Sequence, residues 1–93
     1  MAQFELTQEQ FQRIARAISD PNRFELLRLI YRTPESTCGD VIANVPITAG
    51  TASHHLRELE LAELIYVTKE GRFRKLTPRR ETWDAYMAQL RTL

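Results

Sequence analysis

Residues 37–76 read TCGDVIANVPITAGTASHHLRELELAELIYVTKEGRFRKL, and this stretch decides the fold. Thr37 with Asp40 three residues on opens a short helix, which must end before Pro46 because proline disfavours helical geometry in the residue ahead of it. Thr48 caps a longer helix running to about Leu61. The character changes after Glu63. Leu64-Ile65-Tyr66-Val67-Thr68 is short, β-branched and aromatic, Glu70-Gly71 offers a tight turn, and Arg72-Phe73-Arg74-Lys75-Leu76 alternates with period two. A short helix and a longer one joined by the tight Val45-Pro46-Ile47 turn, with a hairpin directly after, predict a helix-turn-helix carrying a wing.

The flanks supply three more helices. Thr7 and Gln10 have capping-box spacing, and Phe11, Ile14, Ala15 and Ile18 repeat at helical intervals. Asp20-Pro21 places a cap before a first-turn proline, and Phe24, Leu27, Ile30 and Tyr31 continue the pattern as far as Pro34. Thr77-Pro78 repeats the cap-plus-proline start, with Trp83, Tyr86, Met87, Leu90 and Leu93 along one face of a last helix. The expected fold is mainly α with a small β-hairpin, in the order α-α-α-α-β-β-α. A chain of 93 residues, 43% apolar and 27% charged, is expected to form one domain over 1–93. At this size it buries only about 60–65% of the surface its unfolded form exposes, so a partner subunit would help.

Composition excludes other classes. The opening MAQFELTQEQ has acids where a secretion signal needs bases, and no run of apolar residues is long enough to span a membrane, so the expected compartment is the cytoplasm. Cys38 is the one cysteine, unable to form an intramolecular disulfide. Thirteen bases nearly cancel twelve acids, but between Lys69 and Arg80 six cations face Glu70 alone, a local charge of +5. Such a segment is either a phosphate-facing footprint or a solvated surface. No catalytic constellation, phosphate-binding glycine loop or metal motif is legible, which argues against an enzyme.

At 100° per residue the helix after Thr48 turns Ala52, Leu56 and Leu59 to the core, leaves His55 at the edge, and turns Gly50, His54 and Arg57 outward between Thr51 and Ser53. That face starts at a helix N-terminus, where free N–H groups attract phosphate, and its small residues let the helix sink into a groove. Its side chains suit base edges in the DNA major groove, and suit water as well. His54 and His55 point about 100° apart and cannot chelate one ion.

Ile18-Ser19-Asp20-Pro21-Asn22-Arg23 with Leu27-Arg28-Leu29-Ile30, Thr51-Ala52-Ser53-His54-His55-Leu56-Arg57-Glu58-Leu59 and Lys69-Glu70-Gly71-Arg72 together resemble the ArsR/SmtB family of winged-helix repressors, over about residues 14–78. The resemblance implies a homodimer paired through its first and last helices (7–18 and 78–93), bound to an inverted-repeat operator in double-stranded DNA and usually released by an effector. The DNA-contacting set is then Thr48, Ala49, Gly50, Thr51, Ser53, His54 and Arg57 on the recognition helix, with Lys69, Arg72 and Arg74 in the wing. Phe11, Ile14, Ile18, Trp83, Tyr86, Met87 and Leu90 are assigned to the dimer interface, core packing being their other role.

Departures from the family's pattern define the member. Metal sensors of this family often flank one residue with two thiols where this chain has Thr37 and Gly39 around Cys38, and the family's other site needs histidines on the last helix, where Glu81 and Asp84 stand alone. No metal or cofactor is therefore expected; an organic effector stays open. Cys38 is read as an inert thiol, a thiol-sensing role being the alternative. Ala49 replaces a glutamine common in relatives, so operator choice should differ. Glu63 stands where relatives commonly end the helix with glycine, so the helix end is expected to be arranged differently. The competing function is a winged-helix protein-interaction module that does not read DNA.

Overall fold

The computed structural model describes residues 5–93, so the first four residues of the acidic opening lie outside the described residues. Four helices begin where an oxygen-bearing side chain stands three residues before a free backbone N–H. Thr7 accepts from the Gln10 N–H at 3.1 Å ahead of α1 (Gln8–Ala17), and Asp20 accepts from the Arg23 N–H at 3.0 Å ahead of α2 (Pro21–Arg32). Thr37 does the same for Asp40 at 3.2 Å ahead of α3 (Cys38–Ile42), and Thr48 for Thr51 at 3.2 Å ahead of α4 (Ala49–Leu61). In α3 the capping box closes, because the Thr37 N–H also donates to Asp40 Oδ2 at 3.3 Å. In α1 the Gln10 amide instead donates to Glu63 Oε2 at 2.6 Å, tying α1 to the end of α4.

The hairpin pairs β2 (Ile65–Glu70) with β3 (Phe73–Pro78). Its turn is Gly71-Arg72 rather than Glu70-Gly71, since Glu70 pairs with Phe73. Gly71 has φ +59° at the first of the two turn positions, where a type II′ hairpin requires it. One strand lies beyond the expected hairpin. β1 (Ser36–Thr37) pairs antiparallel with β3, Ser36 opposite Leu76 and Thr37 opposite Lys75, giving a three-stranded sheet in the order β1-β3-β2. The observed order is α-α-β-α-α-β-β-α.

The last helix starts later than expected. Thr77 and Pro78 complete β3, opposite Tyr66 and Ile65, and α5 spans Arg80–Leu90 with no side-chain cap. Pro78 therefore ends a strand, where its missing N–H costs no ladder bond. The helix end at Glu63 is also a correction. Glu63 adopts φ +60°, its N–H bonds to Glu60 O (2.9 Å) and the Leu64 N–H bonds to Leu59 O (3.1 Å). This is the Schellman pattern that glycine usually completes, held here by a glutamate whose carboxylate accepts from Gln10 and lies 3.8 Å from Arg79.

α2 packs against α3, α4 and β3, so it buries a broader face than its expected stripe. Leu26, Leu27 and Ile30 are enclosed, whereas Phe24 is exposed. Ile14 and Tyr86, assigned above to a dimer interface, are 0% and 5% exposed: both are enclosed by the protomer's own core and offer no surface to a partner. Phe11, Ile18, Trp83, Met87 and Leu90 are half-buried around them, with Phe11 and Trp83 stacked on the Tyr86 ring at 4.9 and 5.6 Å. Thr82 in α5 is wholly enclosed and its hydroxyl has no hydrogen-bond partner among the described residues. Thr82→Val keeps the shape and removes that unmet group, so it should raise unfolding stability by about 1 kcal/mol. An unchanged or lowered denaturant midpoint would show that the hydroxyl is satisfied.

Candidate nucleic-acid interface

α4 divides its residues as its periodicity requires. Ala52, His55, Leu56 and Leu59 are buried, while Ala49, Gly50, Thr51, Ser53, His54 and Arg57 are exposed together on the opposite face. Thr48 is engaged twice at the start of this face, accepting from the Thr51 N–H and donating its own proton to the Thr51 hydroxyl at 2.9 Å. The Thr51 proton is left to donate outward. A Cβ added at Gly50 would meet nothing within 4 Å, so packing within the chain does not require glycine there.

His55, at the edge of the inner side, is buried. Its Nδ1 accepts from Arg23 Nε–H at 3.2 Å, which places the proton of the neutral ring on Nε2, 3.8 Å from Asp20 Oδ1. The Asp20-Pro21-Asn22-Arg23 motif is thus the seat of the recognition helix: Asp20 caps α2, and Arg23 holds the inner histidine of α4. Burial, with Arg23 and His54 nearby, pushes the His55 pKa below its ordinary value against the pull of Asp20. Below about pH 6.5 the unfolded chain then binds a proton that the folded chain resists, so stability should fall as pH drops through that value. His55→Asn, whose amide oxygen can replace Nδ1, should flatten this dependence between about pH 7.5 and 5.5. Parallel denaturation curves for both proteins at both pH values would remove His55 as the cause.

The structure sorts the basic stretch. Lys75 lies 3.2 Å from Glu70 and 3.7 Å from Glu35, and these carboxylates raise its pKa. Arg79 lies between Glu63 (3.8 Å) and Glu81 (3.5 Å) with its guanidinium over the Tyr66 ring. Arg80 donates to Tyr31 O at 2.9 Å and covers the Tyr31 ring. Tyr31 in turn donates to Leu64 O at 2.7 Å, and burial raises its pKa. These three cations hold α2, the sheet and α5 together. Lys69, Arg72 and Arg74 remain exposed at the wing, with no acidic partner among the described residues. Lys69 and Arg74 are paired across the hairpin and Arg72 occupies the turn.

A groove runs between the wing and α4, bordered by Ser53 and Arg57 on the helix and by Arg72, Phe73 and Arg74 on the wing. Phe73, passed over in the sequence, is 65% exposed there; its alternation within a strand carried no signal of a ring left in solvent. Cys38 also lines the groove, half-buried, and burial raises its pKa, away from the reactive thiolate. Thr37, beside it, is committed to capping α3.

A short helix and an outward-facing second helix braced by a small sheet, with a cationic hairpin alongside, constitute a winged helix-turn-helix domain. The family described as a helix-turn-helix domain matches residues 18–68. The Bacillus subtilis HTH-type transcriptional regulator YceK is 32% identical over 75 residues, 80% of this chain and 75% of that protein. The transcriptional repressor SdpR of the same organism is 37% identical over 60 residues, 64% of this chain and 66% of its own. Among solved structures, an ArsR family transcriptional regulator superposes with a TM-score of 0.83 at 26% identity, covering 96% of this chain and 91% of that one. A homodimeric winged helix-turn-helix DNA-binding domain from Mycobacterium bovis shares the fold at 0.74 and 18% identity, over 99% and 90% of the two chains. The chain belongs to the helix-turn-helix family and to its transcriptional regulators, and its fold is that of the ArsR family regulator just described. It is a regulator with a DNA-binding fold, not an enzyme. None of the described helices is long and apolar enough to cross a membrane.

Proposed function

We propose that the chain is one domain of a homodimeric cytoplasmic repressor that binds an inverted-repeat operator in double-stranded DNA. In this reading Thr48, Ala49, Gly50, Thr51, Ser53, His54 and Arg57 enter the major groove, while Lys69, Arg72 and Arg74 meet phosphate or the minor groove. The observation that carries it is the segregation of charge: Lys75 and Arg79 are paired with carboxylates of the fold and Arg80 is held on the Tyr31 carbonyl, whereas Lys69, Arg72 and Arg74 at the wing have no acidic partner among the described residues and flank the outer face of α4. Repression is supported by the likeness to SdpR. Pairing through α1 and α5 is supported by the half-buried Phe11, Ile18, Trp83, Met87 and Leu90 and by the homodimeric M. bovis domain. Function without metal follows from the donors the sequence offers: one thiol, Cys38, between Thr37 and Gly39, and no histidine after His55.

Selection of bound fragments from a random duplex pool, with sedimentation of the free protein, tests the proposal. Paired half-sites and a dimer at micromolar concentration are expected; a monomer of 10.9 kDa would end the dimer reading. Duplex binding that barely changes with salt would favour the interaction-module alternative. Gly50 gives a finer test. Gly50→Ala should hold or raise stability by up to about 1 kcal/mol, whereas Gly50→Leu, at a position where an added Cβ meets nothing within 4 Å, should weaken operator binding by blocking close approach. If Gly50→Leu binds as well as the parent, the helix does not enter the groove there.

A further inference from the structure

The groove between the wing and α4 holds more than a phosphate contact needs. Its volume is about 810 Å³, within the range of sites that take small organic molecules. Leu56, Val67 and Cys38 are buried or half-buried along it and the exposed Phe73 ring forms one wall. Arg57, Arg72 and Arg74 line it too, none of them ion-paired among the described residues. Phosphates would occupy the guanidiniums and leave the apolar surface without a purpose. Two carboxylates share the lining, Glu60 and Asp40, the latter engaged in the α3 capping box. Three guanidiniums against two carboxylates leave a single positive charge, which suits a monoanion better than a nucleotide or polyphosphate.

We propose that this groove binds a small organic monocarboxylate with an aromatic or short acyl body, and that its occupancy excludes DNA. The apolar body would lie against Leu56, Val67 and Phe73, and the carboxylate would take the arginines that the duplex also uses. The regulatory half rests on the DNA-binding reading above; the binding site itself does not.

The test uses the full chain, labelled with nitrogen-15, titrated with benzoate, phenylacetate and octanoate, each beside its primary amide. The acids are expected to shift the backbone resonances of Cys38, Leu56, Val67 and Phe73, while the amides do not. Arg74→Gln and Phe73→Ala, both at exposed positions, should each weaken acid binding about tenfold. The same acids should release a bound duplex over the concentration range in which the shifts saturate. Absence of shifts for all three acids, equal shifts from acids and amides, or shifts confined to another surface would overturn the site. Acid binding without duplex release would overturn the exclusion. A separate duplex titration without acid distinguishes the two readings. If DNA fails to bind while acids shift the groove, the DNA reading falls and the site stands; if DNA binds while acids do not, the site falls alone.

Discussion

Leu59→Ala should cost about 2–5 kcal/mol of unfolding stability, a large share of the whole for a domain of this size. Leu59 is fully enclosed, on the inner face of α4, in the same cluster as Leu26, Ile30 and Leu64. Its carbonyl also accepts the Leu64 N–H that closes the helix end. Truncation would open a cavity where the recognition helix is seated, in a core too small to collapse around it. Leu61 on the same helix is exposed, so Leu61→Ala should move stability by no more than about 0.5 kcal/mol. Chemical denaturation of both variants at one fixed protein concentration makes the comparison, since any dimer would link stability to concentration. Equal midpoints for the two would mean that α4 is not seated on the core as described.

His54→Ala should weaken binding to the selected operator by roughly 1–3 kcal/mol and weaken scrambled duplex far less, as expected on losing a base-reading contact. Arg72→Ala should weaken both duplexes alike and lower the salt slope by about one. The difference follows from placement: His54 is exposed in the second turn of α4, within the face of small side chains, whereas Arg72 occupies a hairpin turn with no acid beside it. Titrations at several salt concentrations on both duplexes resolve the two effects. If His54→Ala leaves operator preference intact and Arg72→Ala abolishes it, the wing is the reader and the helix only anchors.

Features set by neighbours within a few residues were legible in the sequence. Thr7, Asp20, Thr37 and Thr48 each satisfy an N–H three residues away, a relation visible in one dimension. Features set by distant partners were not. Ser36 and Thr37 become a strand because β3 passes beside them some forty residues later. Within the basic run, the ties of Arg79 to Glu63 and Glu81 and of Arg80 to Tyr31 could not be read, because those partners lie on other elements or outside the run. Phe24, in the expected stripe, is exposed and Leu26, outside it, is buried because α2 has neighbours on several sides. The outer face of α4 was readable because helical periodicity alone determines it, and so was His55 at the edge of the inner side; its partner Arg23 was not, because that residue belongs to another helix. The turn slipped by one residue because only strand register, not composition, decides between Glu70-Gly71 and Gly71-Arg72.

The short strand β1 changes what the wing is mechanically. A hairpin anchored only by its own two strands would swing as a flap. Here the return strand is bonded on its far side to Ser36 and Thr37, and Thr37 is also the cap of α3. A push on the tip at Arg72 therefore travels down β3 as along a lever arm and arrives at the first turn of α3 without crossing a loop that could absorb it. The wing and the first helix of the helix-turn-helix pair thus share a hydrogen-bonded strand, tied to each other through backbone and not through side chains alone.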